Sequence, residues 1–334
     1  MEAEIYFEKG IEKYKKGLEI INKFKSYNWV ENEKEFLAII KDRKLTYSNE
    51  KRVLFFGLKR GKFIKQYYLD TNFKGIKEEY YLSYENNCPY GCQYCYLREY
   101  YGHGCYIFYI NIEDMFKELD EFNKKNVMIS CGIMNDSLVY DGITSISKEL
   151  IEYFNKREDL ILELRTKSAN IGNIIKIVPN KNILLSFTFS PQEIINLFEI
   201  RTASLKKRVD AAKRAQDAGY NIGIRIDPII NIENGEAIYK NMVKNIMENL
   251  DLSKIKDVGI GSLRYKKELK KKVWSEAKTS LFYDEFVTGI DGKERYFKSI
   301  RIFLYKTVIS EIKKYGNFEI YLGMEPEYMW KEVL

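Results

Sequence analysis

Cys88, Cys92 and Cys95 stand in a C-x3-C-x2-C spacing inside the stretch Tyr84–Tyr96, so three thiols crowd one short loop. A structural zinc site closes around four ligands, whereas an iron–sulfur cluster held by three cysteines keeps one iron open for a small molecule. The rest of the chain must therefore hold a metal centre and leave space beside it. There are five cysteines, an odd number with three bunched, which points to metal binding in a reducing compartment rather than to a disulfide framework.

With 334 residues and 45% hydrophobic content, the chain can bury a large core as one large or two ordinary domains. It has no run of apolar residues long enough to cross a bilayer, and its first ten residues are too charged for a signal peptide, so a soluble, cytoplasmic protein without a membrane partner is expected. The net charge is +7, from 55 basic and 48 acidic residues, milder than that of a dedicated nucleic-acid binder. The best local basic stretch is Lys266-Lys267 and Lys270-Lys271-Lys272, followed by Trp274; a solvated helix face explains it equally well.

Residues 1–50 read as a helical N-terminal extension, because Phe7, Ile11, Tyr14, Leu18 and Ile21 recur at helical spacing. After an apolar run at Arg52–Gly57, short apolar segments alternate with amphipathic ones. Strands are predicted over 105–110, 127–131, 160–164, 183–189, 221–226 and 258–262, and helices over 112–124, 145–155, 168–177, 204–218 and 236–250. That order implies an α/β fold with a parallel sheet covered by helices, residues 51–262 forming the catalytic unit. Active residues gather at the carboxyl ends of such strands, where Gly132–Asp136, Lys167, Thr188, Ser190 and Asp227 fall. Residues 263–334 read as a hairpin around Gly289–Gly292, a closing helix over 301–315 and a last strand at 320–322, packed on the barrel.

The cysteine spacing, with an aromatic just before the last cysteine, resembles that of the radical S-adenosylmethionine enzymes. From Lys51 onward the chain is similar to the spore photoproduct lyase family. The stretches that carry the resemblance are Cys88–Leu97, Asp136–Asp141, Gly219–Pro228, Gly261–Tyr265, Asp291–Tyr296 and Tyr321–Glu325. The resemblance implies a partial (β/α)6 TIM-like barrel and a lyase-like enzyme of DNA repair. It implies a 4Fe-4S cluster on Cys88, Cys92 and Cys95, which binds S-adenosyl-L-methionine at its open iron and cleaves it to a 5′-deoxyadenosyl radical. Lys167 and Thr188 then match contacts to S-adenosylmethionine, with Tyr94, Gly132 and Asp136 beside them, and a lysine there supplies charge-assisted hydrogen bonds to a carboxylate. Tyr96 matches a tyrosine that relays a hydrogen atom. Arg295 and Tyr296 match the turn where the family inserts a hairpin into damaged DNA, and a stacked aromatic beside a cation suits an extruded base.

One departure bears on the substrate. The family donates a hydrogen atom from a cysteine three residues before the position of Asp136, and this chain has Ile133 there. Cys131 lies two residues earlier, and positions i and i+2 of a strand share a face, so Cys131 is the candidate replacement; a buried inert cysteine is the default at such a place. The expected substrate is damaged DNA carrying a thymine photoproduct, with RNA second, and the expected reductant is a flavodoxin or ferredoxin. The alternatives are radical modification of RNA, a peptide or a small metabolite, or a non-catalytic nucleic-acid-binding module braced by metal, for example zinc with His103 as a fourth ligand.

Overall fold

The computed structural model describes residues 3–67 and 78–334. In chain order its strands are β1 (Glu4–Glu8), β2 (Asn28–Val30), β3 (Val53–Gly57), β4 (Ile64–Tyr67), β5 (Glu79–Leu82), β6 (Glu85–Asn86), β7 (Tyr106–Tyr109) and β8 (Val127–Cys131). There follow β9 (Leu160–Thr166), β10 (Ile183–Thr188), β11 (Asn221–Ile229), β12 (Ile255–Ser262), β13 (Arg264–Tyr265), β14 (Phe286–Thr288), β15 (Glu294–Tyr296) and β16 (Ile320–Leu322).

Eight of these form a curled sheet in the order β16-β12-β11-β10-β9-β8-β5-β4, parallel throughout except for β4 at one edge. The parallel order is the one expected from the alternation of apolar runs and helices, because parallel neighbours need a crossover and the helix supplies it, and the curl is the partial barrel that the family resemblance implies. The two faces of each strand differ sharply. On β9, Leu162 and Leu164 belong to the apolar core, while Glu163 and Arg165 face the lumen. Glu163 accepts from Ser130 on β8 (2.9 Å), Ser186 on β10 (2.6 Å) and Arg225 on β11 (2.6 Å), and Arg225 pairs in turn with Asp257 on β12. A buried charge costs several kcal/mol unless it is paired, so this cross-strand lattice fixes which residues can line the lumen.

The N-terminal region differs from expectation. Glu4–Glu8 and Asn28–Val30 are strands, and they join β3, β7 and β6 in a second sheet of order β2-β1-β3-β7-β6. Phe7, Phe56 and Phe108 project from adjacent strands of this sheet and pack together, with Phe7 and Phe56 centroids 5.5 Å apart. The helical spacing of Phe7 and Ile11 was therefore accidental: one lies on a strand and the other in the short turn after it. Helix does occupy Lys15–Ile21 and Glu33–Asp42.

Near the other end, β13, β15 and β14 form a small antiparallel sheet, and the helix Lys267–Glu276 packs beside it through Trp274 on Phe282 and Phe282 on Tyr265. Among the described residues no helix is long and apolar enough to cross a membrane.

Candidate active site at the barrel mouth

The cysteine loop is fastened on three sides. Asn87, in the left-handed region at φ 68°, donates its amide to the Met134 carbonyl (2.8 Å), joining the loop to the turn after β8. Gly91 and Gln93 donate to the carbonyls of Ile200 and Phe198 (2.9 Å each), joining it to the segment after β10. From below, the buried Lys51 ammonium donates to Asn87 Oδ1 (2.7 Å) and to the Cys88 carbonyl (2.5 Å). The helical turn Leu97–Tyr100 starts directly after the last cysteine.

Cys88 and Cys92 are buried and Cys95 is half-buried; all five cysteines are free thiols. Burial pushes the Cys88 thiol up, as does Asp136, against the pull of Lys51. Burial likewise raises Cys92 to about 12, helped by Glu199 and opposed by Lys167. Iron binding displaces those protons, and soft thiolates are the ligands that iron–sulfur clusters use. His103, the fourth ligand of the zinc alternative, is half-buried with its ring tilted against Tyr101, and burial lowers it to about 4. Three cysteines on one loop over a buried lysine fit a cluster with net negative charge.

The turn after β8 requires its glycine. Gly132 has φ 90°, and a Cβ there would sit 2.5 Å from the Arg165 carbonyl. Its amide donates to Asn135 Oδ1 (3.1 Å), and Asn135 in turn donates to Glu85. Asp136 is in a different position from the one expected of a cofactor contact. Its Oδ1 accepts from Leu138 N (3.2 Å), Val139 N (3.1 Å) and Thr166 Oγ1 (2.7 Å), and its Oδ2 from Lys167 N (2.7 Å). A carboxylate offers about four acceptor sites, so this one is saturated by its own chain. It ties the β8 turn to the end of β9 and thereby sets where Lys167 emerges.

The Lys167 ammonium forms no hydrogen bond or ion pair with a described residue and lies 5.6 Å from the centre of the Tyr94 ring. Tyr94 is fixed from behind, because its hydroxyl donates to Glu199, which also takes Ser190 Oγ (2.7 Å) and an ion pair from the fully buried Arg208. Burial opposes the Glu199 charge, but Arg208 and Lys167 outweigh it and hold the carboxyl down at about 2. Thr188, at the end of β10, has a hydroxyl without a hydrogen-bond partner among the described residues, while its carbonyl accepts from Arg208 (2.9 Å). Asp227 at the mouth is paired with Arg264 through both oxygens (3.0 and 2.9 Å). Lys167 and Tyr94 thus lie together by the cysteine loop, and Thr188 ends the neighbouring strand, where Phe187 is in register with Thr166.

Tyr96 is half-exposed, and its hydroxyl turns inward to the Ile133 carbonyl, with Met134 Sδ 3.8 Å away. Ile133 itself packs with Cys88, Leu97 and Met134 under Tyr67, Tyr81, Tyr90 and Tyr101, beside the cysteine loop. Cys131 does not share that setting. Ser130 and Gly132 face the lumen, so Cys131 points the other way into the main core, fully buried next to the Tyr84 hydroxyl. The strand ends at Cys131, and the left-handed Gly132 breaks the i, i+2 alternation that linked it to Ile133.

Arg295 and Tyr296 also depart from their expected exposure. Arg295 is buried against Asp291 (2.6 and 2.7 Å), and Tyr296 is fully buried, stacked on Phe286 at 5.0 Å and accepting from Asn231 N (3.1 Å). Both brace the hairpin, and the side chain that stands free at its tip is Ile290. Sequence reading missed Lys51, Glu85, Glu199 and Arg208, none of which lies in a spacing that marks it.

The sequence model of the family described as "Spore photoproduct lyase" matches residues 1–307. A spore photoproduct lyase of Clostridium acetobutylicum is 24% identical over 257 residues, 74% of each chain. That of Bacillus subtilis is 26% identical over 217 residues, covering 64% of this chain and 60% of its own. A solved spore photoproduct lyase complexed with dinucleoside spore photoproduct superposes with a TM-score of 0.80 at 22% identity, over 96% of this chain and 99% of that one. A variant solved with bound AdoMet and dinucleoside spore photoproduct gives 0.79 at 21% identity, over 96% and 98%.

Proposed function

The chain belongs to the spore photoproduct lyase family and is a radical S-adenosylmethionine lyase, and on that premise we propose that it repairs a thymine photoproduct in DNA. The observation that carries this reading is the meeting of the cysteine loop, the Gly132 turn and the ends of β9 and β10 at one mouth of the half-barrel. When bound there, the 4Fe-4S cluster and S-adenosylmethionine supply one-electron cleavage and a 5′-deoxyadenosyl radical; the protein's part is to hold, orient and shield.

Cys88, Cys92 and Cys95 are proposed as the cluster ligands. Lys167 and Thr188 bind the methionyl carboxylate, with Tyr94 as the surface beneath Lys167. Gly132 presents its backbone to the methionyl amine, and Asp136 acts as a positioning residue for Lys167 rather than as a contact. Tyr96 is the proposed hydrogen relay. The hairpin, braced by Arg295 and Tyr296, and the basic helix Lys267–Glu276 receive the nucleic acid. An acidic electron carrier supplies the electron, and operation in a reducing cytoplasm fits five free thiols.

A second reading keeps the chemistry and changes the target, and Ile133 favours it, since Cys131 and Cys105 both sit in the core and the other three cysteines are the proposed ligands. The test is anaerobic reconstitution followed by reduction with a dinucleoside photoproduct and with damaged DNA. Restored thymines together with 5′-deoxyadenosine support repair. Deoxyadenosine formed while both substrates stay unchanged would sink it.

A further inference from the structure

The cysteine loop has a second face. On one side Tyr90 and Tyr94 turn toward Asp136 and Lys167 at the mouth; on the other, Pro89, Gly91 and Gln93 line a cavity of about 350 Å³. Its remaining wall includes Tyr47, Lys51, Arg98, Ile200, Arg201 and Glu276, and none of the cysteines opens onto it.

Three features make this face unlike ordinary surface. First, it is cationic: Lys51, Arg98 and Arg201 face one carboxylate, Glu276, which pairs with Arg98 (2.6 Å), and Arg201 has no ion pair among the described residues. Second, Arg98 and Gln93 are both more than nine-tenths buried, yet Arg98 Nε and Gln93 Oε1 have no hydrogen-bond partner. Third, an apolar side chain stands in the open beside the charges. Ile200 is 50% exposed and lies directly on Gly91, where an added Cβ would approach it to 3.1 Å.

A half-exposed aliphatic group ringed by cations suits the acidic surface of a protein, and electrostatic complementarity of this kind chiefly raises the rate of encounter. The position suits electron entry. Pro89, Gly91 and Gln93 interleave with Cys88 and Cys92 along the loop, so a partner seated here touches the backbone that carries the ligands. The mouth on the other side is taken up by the groups that receive the cofactor, and only the last turn of the basic helix, at Val273, Ser275 and Glu276, borders this face.

We propose that this outer face, centred on Ile200 and Arg201, is where an acidic one-electron carrier protein docks, losing one electron that the metal centre on Cys88, Cys92 and Cys95 gains. The proposal rests on the reading of those cysteines as cluster ligands. No proton or group is transferred in the step.

The test compares two reductants on the anaerobic holoprotein, a reduced acidic flavodoxin and dithionite, following bleaching of the cluster absorbance and its EPR signal. Arg201→Glu, alone and with Ile200→Ser, is expected to slow reduction by flavodoxin at low salt by about tenfold and to weaken its salt dependence. Reduction by dithionite and affinity for S-adenosylmethionine should stay at wild-type values, which also reports intact folding. Arg201→Gln should give a smaller loss than Arg201→Glu. Wild-type flavodoxin rates and salt dependence in both Arg201→Glu proteins would overturn the docking site while leaving the ligand assignment intact. A protein that neither reductant reduces would overturn the ligand assignment and the docking site with it.

Discussion

The Tyr96 hydroxyl donates to the backbone carbonyl of Ile133, the residue standing where the family carries its hydrogen-donating cysteine. The proposed relay and the missing donor are thus in direct contact, and Ile133 packs against Cys88 beneath a group of tyrosines. Replacing Ile133 with Cys puts a thiol at that contact. It is expected to raise the yield of restored dinucleoside per 5′-deoxyadenosine formed, at a stability cost of about 1–3 kcal/mol for the lost packing. Tyr96→Phe should cut turnover on the order of tenfold or more while S-adenosylmethionine affinity is kept. Cys131→Ala should leave turnover unchanged and lower the melting temperature, because its sulfur belongs to the core. Lost turnover in Cys131→Ala with an intact cluster would reverse the assignment.

Lys167 and Asp136 separate binding from positioning. The Lys167 ammonium makes no hydrogen bond or ion pair with a described residue and supports the Glu199 charge only at longer range, so Lys167→Met should lower the melting temperature only slightly. It should weaken S-adenosylmethionine binding by about 1.5–3 kcal/mol, the usual worth of a hydrogen bond to a charged group. Asp136→Ala strands up to four donors and should lower stability by roughly 1–3 kcal/mol for each that stays dry, weakening the cofactor as a consequence. Calorimetry of both variants with and without S-adenosylmethionine checks the pair. Equal losses of stability in the two would contradict the division of roles.

The half-barrel was readable because its signals are local. Val127–Cys131 and Ile183–Thr188 are short, mainly apolar runs, and the three proposed cysteine ligands lie within eight residues of one another. What escaped depends on contacts between distant parts of the chain. Lys51 looks like any surface lysine until Asn87 and Cys88 are folded over it. Tyr296 looks exposed in a turn-rich stretch, but Phe286 and Asn231 bury it. Asp136 falls at a strand end in the sequence, yet its engagement by Thr166 and Lys167 appears only once β8 and β9 are neighbours. In the first thirty residues, the strand–turn–helix order happens to keep a helical spacing of apolar residues, so periodicity alone could not separate them.

Glu85 predicts a pH dependence. Burial raises its carboxyl to about 8, partly offset by the Asn135 amide, so the folded protein holds a proton that the unfolded chain releases near its ordinary value. A folded-state value above the unfolded one means that this stabilisation is fully present at low pH and is lost as pH rises toward 8, by about 1.4 kcal/mol per unit while the two states differ by one proton. Glu85→Gln should flatten the stability profile between about pH 4.5 and 8, measured by denaturant unfolding.

The basic helix and the hairpin tip should contribute to DNA binding in different ways. The stretch 266–276 carries five lysines against two glutamates, and Lys271 has no partner among the described residues, whereas Lys267 reaches Glu294 at 3.7 Å and Lys270 lies over Trp274 at 4.4 Å. Lysines on phosphates act by releasing counterions, which makes affinity fall steeply with salt and carries no sequence or lesion preference. Changing Lys267, Lys270 and Lys271 together to Gln should therefore weaken damaged and undamaged duplex alike and flatten the slope of log affinity against log salt by about 2–3. Ile290 stands free at the hairpin tip, and an apolar tip inserted between bases costs unstacking, least where the stack is already broken. Ile290→Gly should thus reduce the preference for damaged over undamaged duplex and leave the salt slope alone. Neither change should much alter turnover of a dinucleoside, which lacks the flanking phosphates on which the lysines act. If the lysine variant keeps the wild-type salt slope, the nucleic acid follows another path to the mouth.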